Sequence, residues 1–253
     1  MQMFGPDELI ESAAAALREH EITFRLEQSV TGLDALEETR LHPILHRGLA
    51  AAGFGVLREQ PYPDEWRARR GESSLPRDRL RCDLLLTPHP GQRLRDPLHI
   101  AKRFTAARRE IEGTLFEPLG FTAASGAQEP EPAAAASDTA SPEDCLWLEA
   151  KLVAQFCYSA GIPGPNRTYA PELLRHIPAD LAKLAKDSMI AQAGVLLIHF
   201  TADEATADHD MVQLMHRCLD KELPVESPRK ARFAIADRIG NNLCTLWLIG
   251  VRK

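Results

Sequence analysis

The chain has 253 residues, of which 44% are hydrophobic and 26% are charged, and its formal net charge is −6. This length and composition are typical of an ordinary soluble domain with a full hydrophobic core. No apolar run approaches the roughly 20 residues that a membrane-spanning helix needs, and the first residues lack the basic start and apolar core of a signal peptide. The five cysteines form no Cys-x-x-Cys pair, so we expect a reduced, cytoplasmic protein with no membrane partner.

The negative charge is concentrated in one part of the chain. Residues 129–144 hold five acids and no basic residue, whereas arginines and lysines cluster in residues 67–81 and 102–109. Local clusters of charge, rather than the net charge, determine attraction to phosphate groups. These basic clusters are therefore compatible with a nucleic-acid partner and equally with solvated loop and helix faces.

Hydrophobic periodicity predicts the secondary structure in chain order. The predicted elements are helices over residues 6–20 and 33–52, strands over 56–61 and 80–86, a helix over 98–111, a strand over 146–152, a helix over 178–193, a strand over 195–200, a helix over 210–221, and strands over 232–237 and 243–251. Residues 92–118 are predicted to be a helical insertion. Residues 119–144 are predicted to be a disordered acidic linker, because they consist mainly of Ala, Ser, Pro, Glu and Gly. Strands of one sheet are predicted on both sides of this linker, so we expect one domain over residues 1–253.

The order of the core elements predicts the fold class. Three successive strands favour an antiparallel meander, and the helix before Val195 favours a crossover to a parallel strand. We therefore predict an α/β fold in which a central mixed sheet is flanked by helices. Its core order is αβββαβ, with additions at both ends.

Two of the predicted strands carry charged residues within an apolar alternation. Glu149 and Lys151 lie on the face opposite Leu146, Leu148, Ala150 and Leu152, and Asp83 lies with Arg81 opposite Leu80, Cys82, Leu84 and Leu86. An acid in the middle of an apolar strand is costly to bury unless something compensates its charge. Two acids and a lysine on neighbouring strands can surround one divalent cation, which is the minimum equipment for metal-assisted phosphodiester hydrolysis. A surface strand face that carries a Glu–Lys pair is the simpler alternative.

Asp83 and the run Glu149-Ala150-Lys151, placed on the second and third strands of this core, resemble the PD-(D/E)XK nuclease superfamily, which has a restriction-endonuclease-like fold. The resemblance covers residues from about Glu37 to Phe200. It implies a metal-dependent nuclease in which Asp83 and Glu149 bind Mg²⁺, with Mn²⁺ as a substitute. Lys151 would orient or deprotonate the attacking water, or stabilise developing negative charge.

The resemblance also assigns roles outside the motif. Many relatives carry a metal-reaching glutamate in the helix before the first strand and a glutamine beyond the lysine, which implies roles for Glu38 (with Glu37 as its rival) and Gln155. Nucleic-acid contacts are expected from Arg81, Arg167, Tyr169 and Lys183. Each of these residues has a plainer alternative, as an exposed helix acid, a solvated lysine or a loop residue packed on its own turn. His42 and His46 have a zinc-compatible spacing, but Pro43 stands where a zincin has its glutamate.

Three functional hypotheses follow. The first is a single nuclease-like domain that hydrolyses phosphodiester bonds of nucleic acid, with DNA as the expected substrate. The second is a catalytically inactive nucleic-acid-binding or scaffolding protein of the same fold, and the third is an enzyme of another reaction class that uses the same metal site. No recognition or ATPase module is visible in the sequence, which favours a homodimer or a protein partner.

Overall fold

A computed structural model describes residues 4–63, 81–95 and 138–253. Its longer helices are α1 (Pro6–Leu26), α2 (Glu38–Ala51), α3 (Ile177–Lys186) and α4 (Glu204–Asp220), and a short helical turn spans Tyr169–Pro171. Its strands are β1 (Gly55–Pro61), β2 (Arg81–Thr87), β3 (Arg93–Leu94), β4 (Thr139–Ala140), β5 (Leu146–Ala154), β6 (Phe156–Ser159), β7 (Ile162–Pro165), β8 (Gln192–Thr201), β9 (Arg229–Ala234) and β10 (Leu243–Val251). The predicted helix over residues 98–111, most of the arginine-rich loop and most of the predicted linker lie outside the described residues. Within them, no helix is both long enough and apolar enough to cross a membrane.

A mixed sheet of six strands forms the centre of the described structure, in the order β1-β2-β5-β8-β10-β9. β1, β2 and β5 are antiparallel neighbours, β8 runs parallel to β5, and β10 and β9 continue the sheet in antiparallel pairs. Because β8 is parallel to β5, the chain must cross from one end of the sheet to the other, and α3 lies in that connection. The predicted mixed sheet with flanking helices is confirmed.

Helices cover both faces of this sheet. α1 and α2 pack on one face through residues such as Leu17 and Leu45, together with Leu148 of β5. α3 and α4 pack on the other face, where Leu181 and Trp147 are buried. Two covered faces explain why the central strands carry apolar residues at both odd and even positions.

Gly48 sets the close approach of α1 and α2. A Cβ atom added at Gly48 would lie 2.1 Å from the Cβ atom of Ala16. The two helix backbones are therefore nearer to each other here than any larger side chain would allow. This contact fixes α2, whose first residue is Glu38, against the rest of the helical layer.

Several predicted boundaries differ from the structure. α1 continues beyond residue 20, where Glu21 is buried and paired with Arg238 at 2.9 Å. α2 begins at Glu38 rather than at residue 33, because Leu33–Ala35 forms a separate 3₁₀ turn. α3 ends at Lys186, and β8 begins at Gln192.

The end of the predicted linker is also different. Residues Thr139–Ala140 form β4, which pairs in parallel with β3, and Pro142–Asp144 form a 3₁₀ turn with Pro142 buried. The prediction that disorder extends to residue 144 is therefore wrong for these residues. Their small and polar composition gave no sign that their backbone pairs with β3.

Candidate active site

β2 and β5 separate at the position of Asp83. The two strands pair regularly over Leu84–Leu86 and Leu146–Leu148. Beyond this point the Asp83 carboxylate, rather than a backbone carbonyl, accepts a hydrogen bond from the Ala150 amide at 2.9 Å. A side chain that takes over a strand-to-strand bond is held in a fixed orientation, so the opening between β2 and β5 presents Asp83 in one position.

The alternation of side chains along β2 is also interrupted at Asp83. Cys82 packs in the core beneath α3 and α4, whereas Leu84 packs in the core beneath α1 and α2. The Cys82 sulfur lies 3.2 Å from the carbonyl oxygens of Leu84 and of Leu148, which compete for its single S–H donor. The prediction that Cys82 shares a face with Leu84 is therefore wrong, because strict alternation ends where the pairing with β5 ends.

The carboxyl groups of Asp83 and Glu149 share a hydrogen bond. Burial, this hydrogen bond and the charge of Glu149 together raise the pKa of Asp83 to about 8. Burial alone would raise the pKa of Glu149 as well, but hydrogen bonds from Asp83, Lys183 and Tyr62 outweigh it and lower that pKa. The shared proton therefore resides on Asp83, and Glu149 is the ionised partner.

Glu149 is held by two further donors. The Lys183 ammonium lies 2.6 Å from Glu149 Oε1, and the Tyr62 hydroxyl donates to the same oxygen. Lys183 also lies 4.4 Å from the centroid of the Tyr62 ring, and that ring stacks on Trp147 with a centroid separation of 5.7 Å. Since only 4% of the Glu149 side chain is exposed, these donors compensate a charge that would otherwise be costly to bury.

Lys151 lies between two acids on different helices. Its ammonium is 3.3 Å from Glu38 of α2 and 3.9 Å from Asp180 of α3, and Glu38 also accepts the Leu152 amide at 3.1 Å. Burial alone would lower the pKa of Lys151, but the charges of Glu38 and Asp180 outweigh it and raise that pKa. Lys151 is thus a cation at neutral pH. This favours roles in orienting water and stabilising negative charge over a role as a base.

Glu38, His42 and Asp83 form a group that can hold a metal ion. One ligand atom from each residue lies within 4.8 Å of the others. His42 is 3% exposed, and its Nε2 atom has no hydrogen-bond partner among the described residues. Burial lowers the pKa of His42, which keeps the imidazole neutral and able to bind a cation. Two carboxylates and a neutral imidazole suit a divalent cation.

The composition of this group differs in part from the predicted set. Asp83 and Glu38 were predicted as ligands and belong to it, whereas Glu149 lies beside it, bonded to Asp83 and Lys183. The sequence pattern gives His42 only a zinc-compatible spacing with His46 and does not predict it as a partner of Asp83. Its position one turn after Glu38 on the same helix face was the available signal.

A cavity of about 510 Å³ opens beside Lys151. Its polar lining consists of Glu38, Lys151, Glu172, His176 and Asp180. The cavity therefore connects the residues of α2 and β5 with α3 and with the π-helical turn Glu172–His176 that precedes α3. It can admit a substrate group next to the Lys151 ammonium.

Two predicted site residues lie elsewhere. β5 ends at Ala154, and the Gln155 carboxamide accepts the Ala202 amide at 2.9 Å, so the structure does not bring Gln155 to the cluster. The Arg81 guanidinium donates to the Glu59 carbonyl at 2.9 Å. Both side chains stabilise the backbone next to the sheet.

The remaining predicted nucleic-acid contacts divide into three cases. Lys183 belongs to the cluster as the partner of Glu149 and is not a solvated lysine. The Tyr169 hydroxyl donates to Asp210 and lies 2.7 Å from His199 Nε2, so it is engaged within the protein. Arg167 is exposed in the loop between β7 and α3.

Compared with protein-family models, curated protein sequences and solved structures, the chain matches none of them. The function of this protein must therefore be inferred from the side chains of the site itself.

Proposed function

We propose that the protein is a Mg²⁺-dependent nuclease that hydrolyses phosphodiester bonds of DNA, with a restriction-endonuclease-like core of the PD-(D/E)XK type. The observation that carries this proposal is the convergence of Asp83, Glu149, Lys151 and Glu38 from β2, β5 and α2. An acid pair beside a charged lysine is the arrangement that metal-assisted phosphate chemistry requires. A surface strand face has no need of a buried, hydrogen-bonded pair of carboxyl groups.

Asp83, Glu38 and His42 would hold the cation, with Glu149 next to them. A bound Mg²⁺ supplies two effects: it lowers the pKa of a coordinated water and neutralises charge on the phosphate. Metal ligands must be deprotonated, so Asp83 has to lose the proton that it shares with Glu149. The affinity for Mg²⁺ should consequently rise with pH up to about the pKa of Asp83.

The other charged residues position these groups. Lys151 directs its ammonium into the cavity, where it can donate to a phosphate oxygen or orient the attacking water. Glu38 and Asp180 keep Lys151 charged. Lys183 and Tyr62 keep Glu149 ionised and fixed.

Cleavage assays test the proposal directly. Purified protein is incubated with supercoiled plasmid and with single-stranded DNA, in Mg²⁺ and in EDTA. We expect cleavage in Mg²⁺ only, and a decrease of about 100-fold or more in the Lys151→Ala variant. The matched control is Lys186→Ala, which removes an exposed lysine near the end of α3 and should retain activity.

Calorimetric titration with Mg²⁺ separates metal binding from cleavage. Wild type should bind Mg²⁺, and Asp83→Asn and Glu38→Gln should bind it at least about tenfold more weakly. DNA binding without cleavage, unchanged in Lys151→Ala, would refute the nuclease and support the catalytically inactive alternative.

A further inference from the structure

The π-helical turn Glu172–His176 forms a common wall between two cavities. Glu172 and His176 line the cavity beside Lys151. Leu174 and Arg175, on the same turn, line a second cavity of about 500 Å³ between this turn and α4. The two cavities are therefore lined by neighbouring residues of one turn.

The second cavity is lined mainly by basic polar groups. Arg175 comes from the π-helical turn, and His216 and Arg217 come from α4, whereas Asp220 is the one acid in the lining. Within the described part of the chain, none of these three basic side chains has a hydrogen-bond or ion-pair partner. Two guanidinium groups from different elements, free of internal partners, can take phosphate oxygens in bidentate geometry.

The wall of this cavity is anchored. The Tyr169 hydroxyl donates to Asp210 of α4 and lies 2.7 Å from His199 of β8. Asp210, Gln213 and Arg217 follow each other at helical spacings of three and four residues, so they lie along one face of α4. The hydroxyl of Tyr169 thus ties the chain just before the turn to the helix face that carries Arg217.

We propose that Arg175, Arg217 and His216 form a second phosphate-binding site, which holds the sugar–phosphate backbone of a nucleic-acid substrate beyond the bond that is cleaved. The ligand class rests on the proposed nuclease function, but the site is separate from the residues that hold the cation. Contacts of this kind position the strand and carry no base specificity. Such contacts would engage two arginines that line one cavity from different elements, the π-helical turn and α4.

The test measures DNA binding in EDTA, where no cleavage takes place. The anisotropy of a fluorescent single-stranded oligonucleotide and of its duplex is titrated with wild type and with Arg175→Ala/Arg217→Ala, over a series of salt concentrations. We expect binding at least about tenfold weaker in the double variant, and a slope of log K against log salt that is shallower by about 1.5, as for two lost phosphate contacts. The matched control is Arg18→Ala/Arg47→Ala, which removes two exposed arginines of α1 and α2 with the same change of charge.

The outcomes separate this site from the proposed function. Unchanged affinity and salt slope in the double variant, or no binding of either DNA by wild type in EDTA, would overturn the second site. The second site would also be overturned if the control variant lost as much DNA affinity as the double variant. If cleavage takes place, the double variant should raise KM with little change in kcat, which a merely structural role would not produce. Loss of DNA binding in the double variant of a protein that never cleaves DNA supports this site and refutes the nuclease.

Discussion

Asp83 and Glu149 meet as a carboxylic acid and a carboxylate across the opening between β2 and β5, and they share one proton. Like charges this close repel each other strongly, so below about pH 8 the pair carries a single negative charge unless a cation replaces the proton. Lys183 and Tyr62 stabilise that charge on the Glu149 side. Proton and metal ion therefore compete for Asp83.

The shared proton predicts how stability depends on pH. The pKa of Asp83 is raised from 3.8 to about 8, so its contribution to stability is fully present below about pH 4 and is lost as the pH rises through 8. In EDTA, we expect the free energy of unfolding of wild type to fall relative to Asp83→Asn over this range. The difference should be on the order of 2 kcal/mol, because solvent screens a partly exposed group. Urea denaturation at a series of pH values measures it.

Mg²⁺ provides the control for this prediction. At pH 8 it should stabilise wild type and have little effect on Asp83→Asn, because a ligand that binds the native state raises the free energy of unfolding. If the free energies of unfolding of wild type and Asp83→Asn in EDTA change with pH in the same way, Asp83 and Glu149 do not share a proton.

The pairing of Lys183 with Glu149 predicts a difference between two lysines of one helix. Lys183→Ala leaves a buried carboxylate with fewer donors and should lower the free energy of unfolding in EDTA by about 2 kcal/mol. Lys186→Ala should change it by less than about 0.5 kcal/mol, because Lys186 is exposed. Equal effects of the two substitutions in urea denaturation would show that the ion pair contributes nothing.

His199 predicts a loss of stability in acid. Burial lowers its pKa from 6.5 to about 4, so the unfolded chain takes up a proton between these values that the native protein does not. The free energy of unfolding of wild type should therefore fall by about 3 kcal/mol more than that of His199→Gln as the pH decreases from 6.5 to 4. Other groups titrate in both proteins, so the measured quantity is the difference between the two curves. If the free energies of unfolding of wild type and His199→Gln stay parallel between pH 6.5 and 4, His199 takes up its proton in the native protein as readily as in the unfolded chain.

Gly48 and Ala16 predict a coupled pair of substitutions. Gly48→Ala would place two Cβ atoms 2.1 Å apart and should destabilise the protein by about 1 kcal/mol net, after its gain in helix propensity. In an Ala16→Gly background the same substitution should become neutral or stabilising, because the clash is gone. Thermal or urea denaturation of the four proteins gives the coupling free energy. Additive effects would show that α1 and α2 move apart at no cost.

The apolar alternation of the strands predicts several residues of this site. It does not predict the residues that reach the site from other elements of the fold. Glu149 and Lys151 could be placed on one strand face because apolar alternation is strict through residues 146–152. Tyr62 and Asp180 could not be foreseen, since they reach the cluster only through the register of β1 with β2 and the packing of α3. The resemblance implies a role for Gln155 because relatives carry a glutamine beyond the lysine, and no residue in that run marks the end of β5 at Ala154.

The π-helical turn also bears on how this protein tolerates changes of length. An α-helix turns by about 100° per residue, so removing one residue from Glu172–His176 would convert the wide turn to a regular one and rotate everything before it. Tyr169 would then leave Asp210, and Glu172 and Arg175 would no longer face separate cavities. Single-residue deletions in this stretch should consequently be far less tolerated than substitutions, and related chains should keep its length even where its side chains vary.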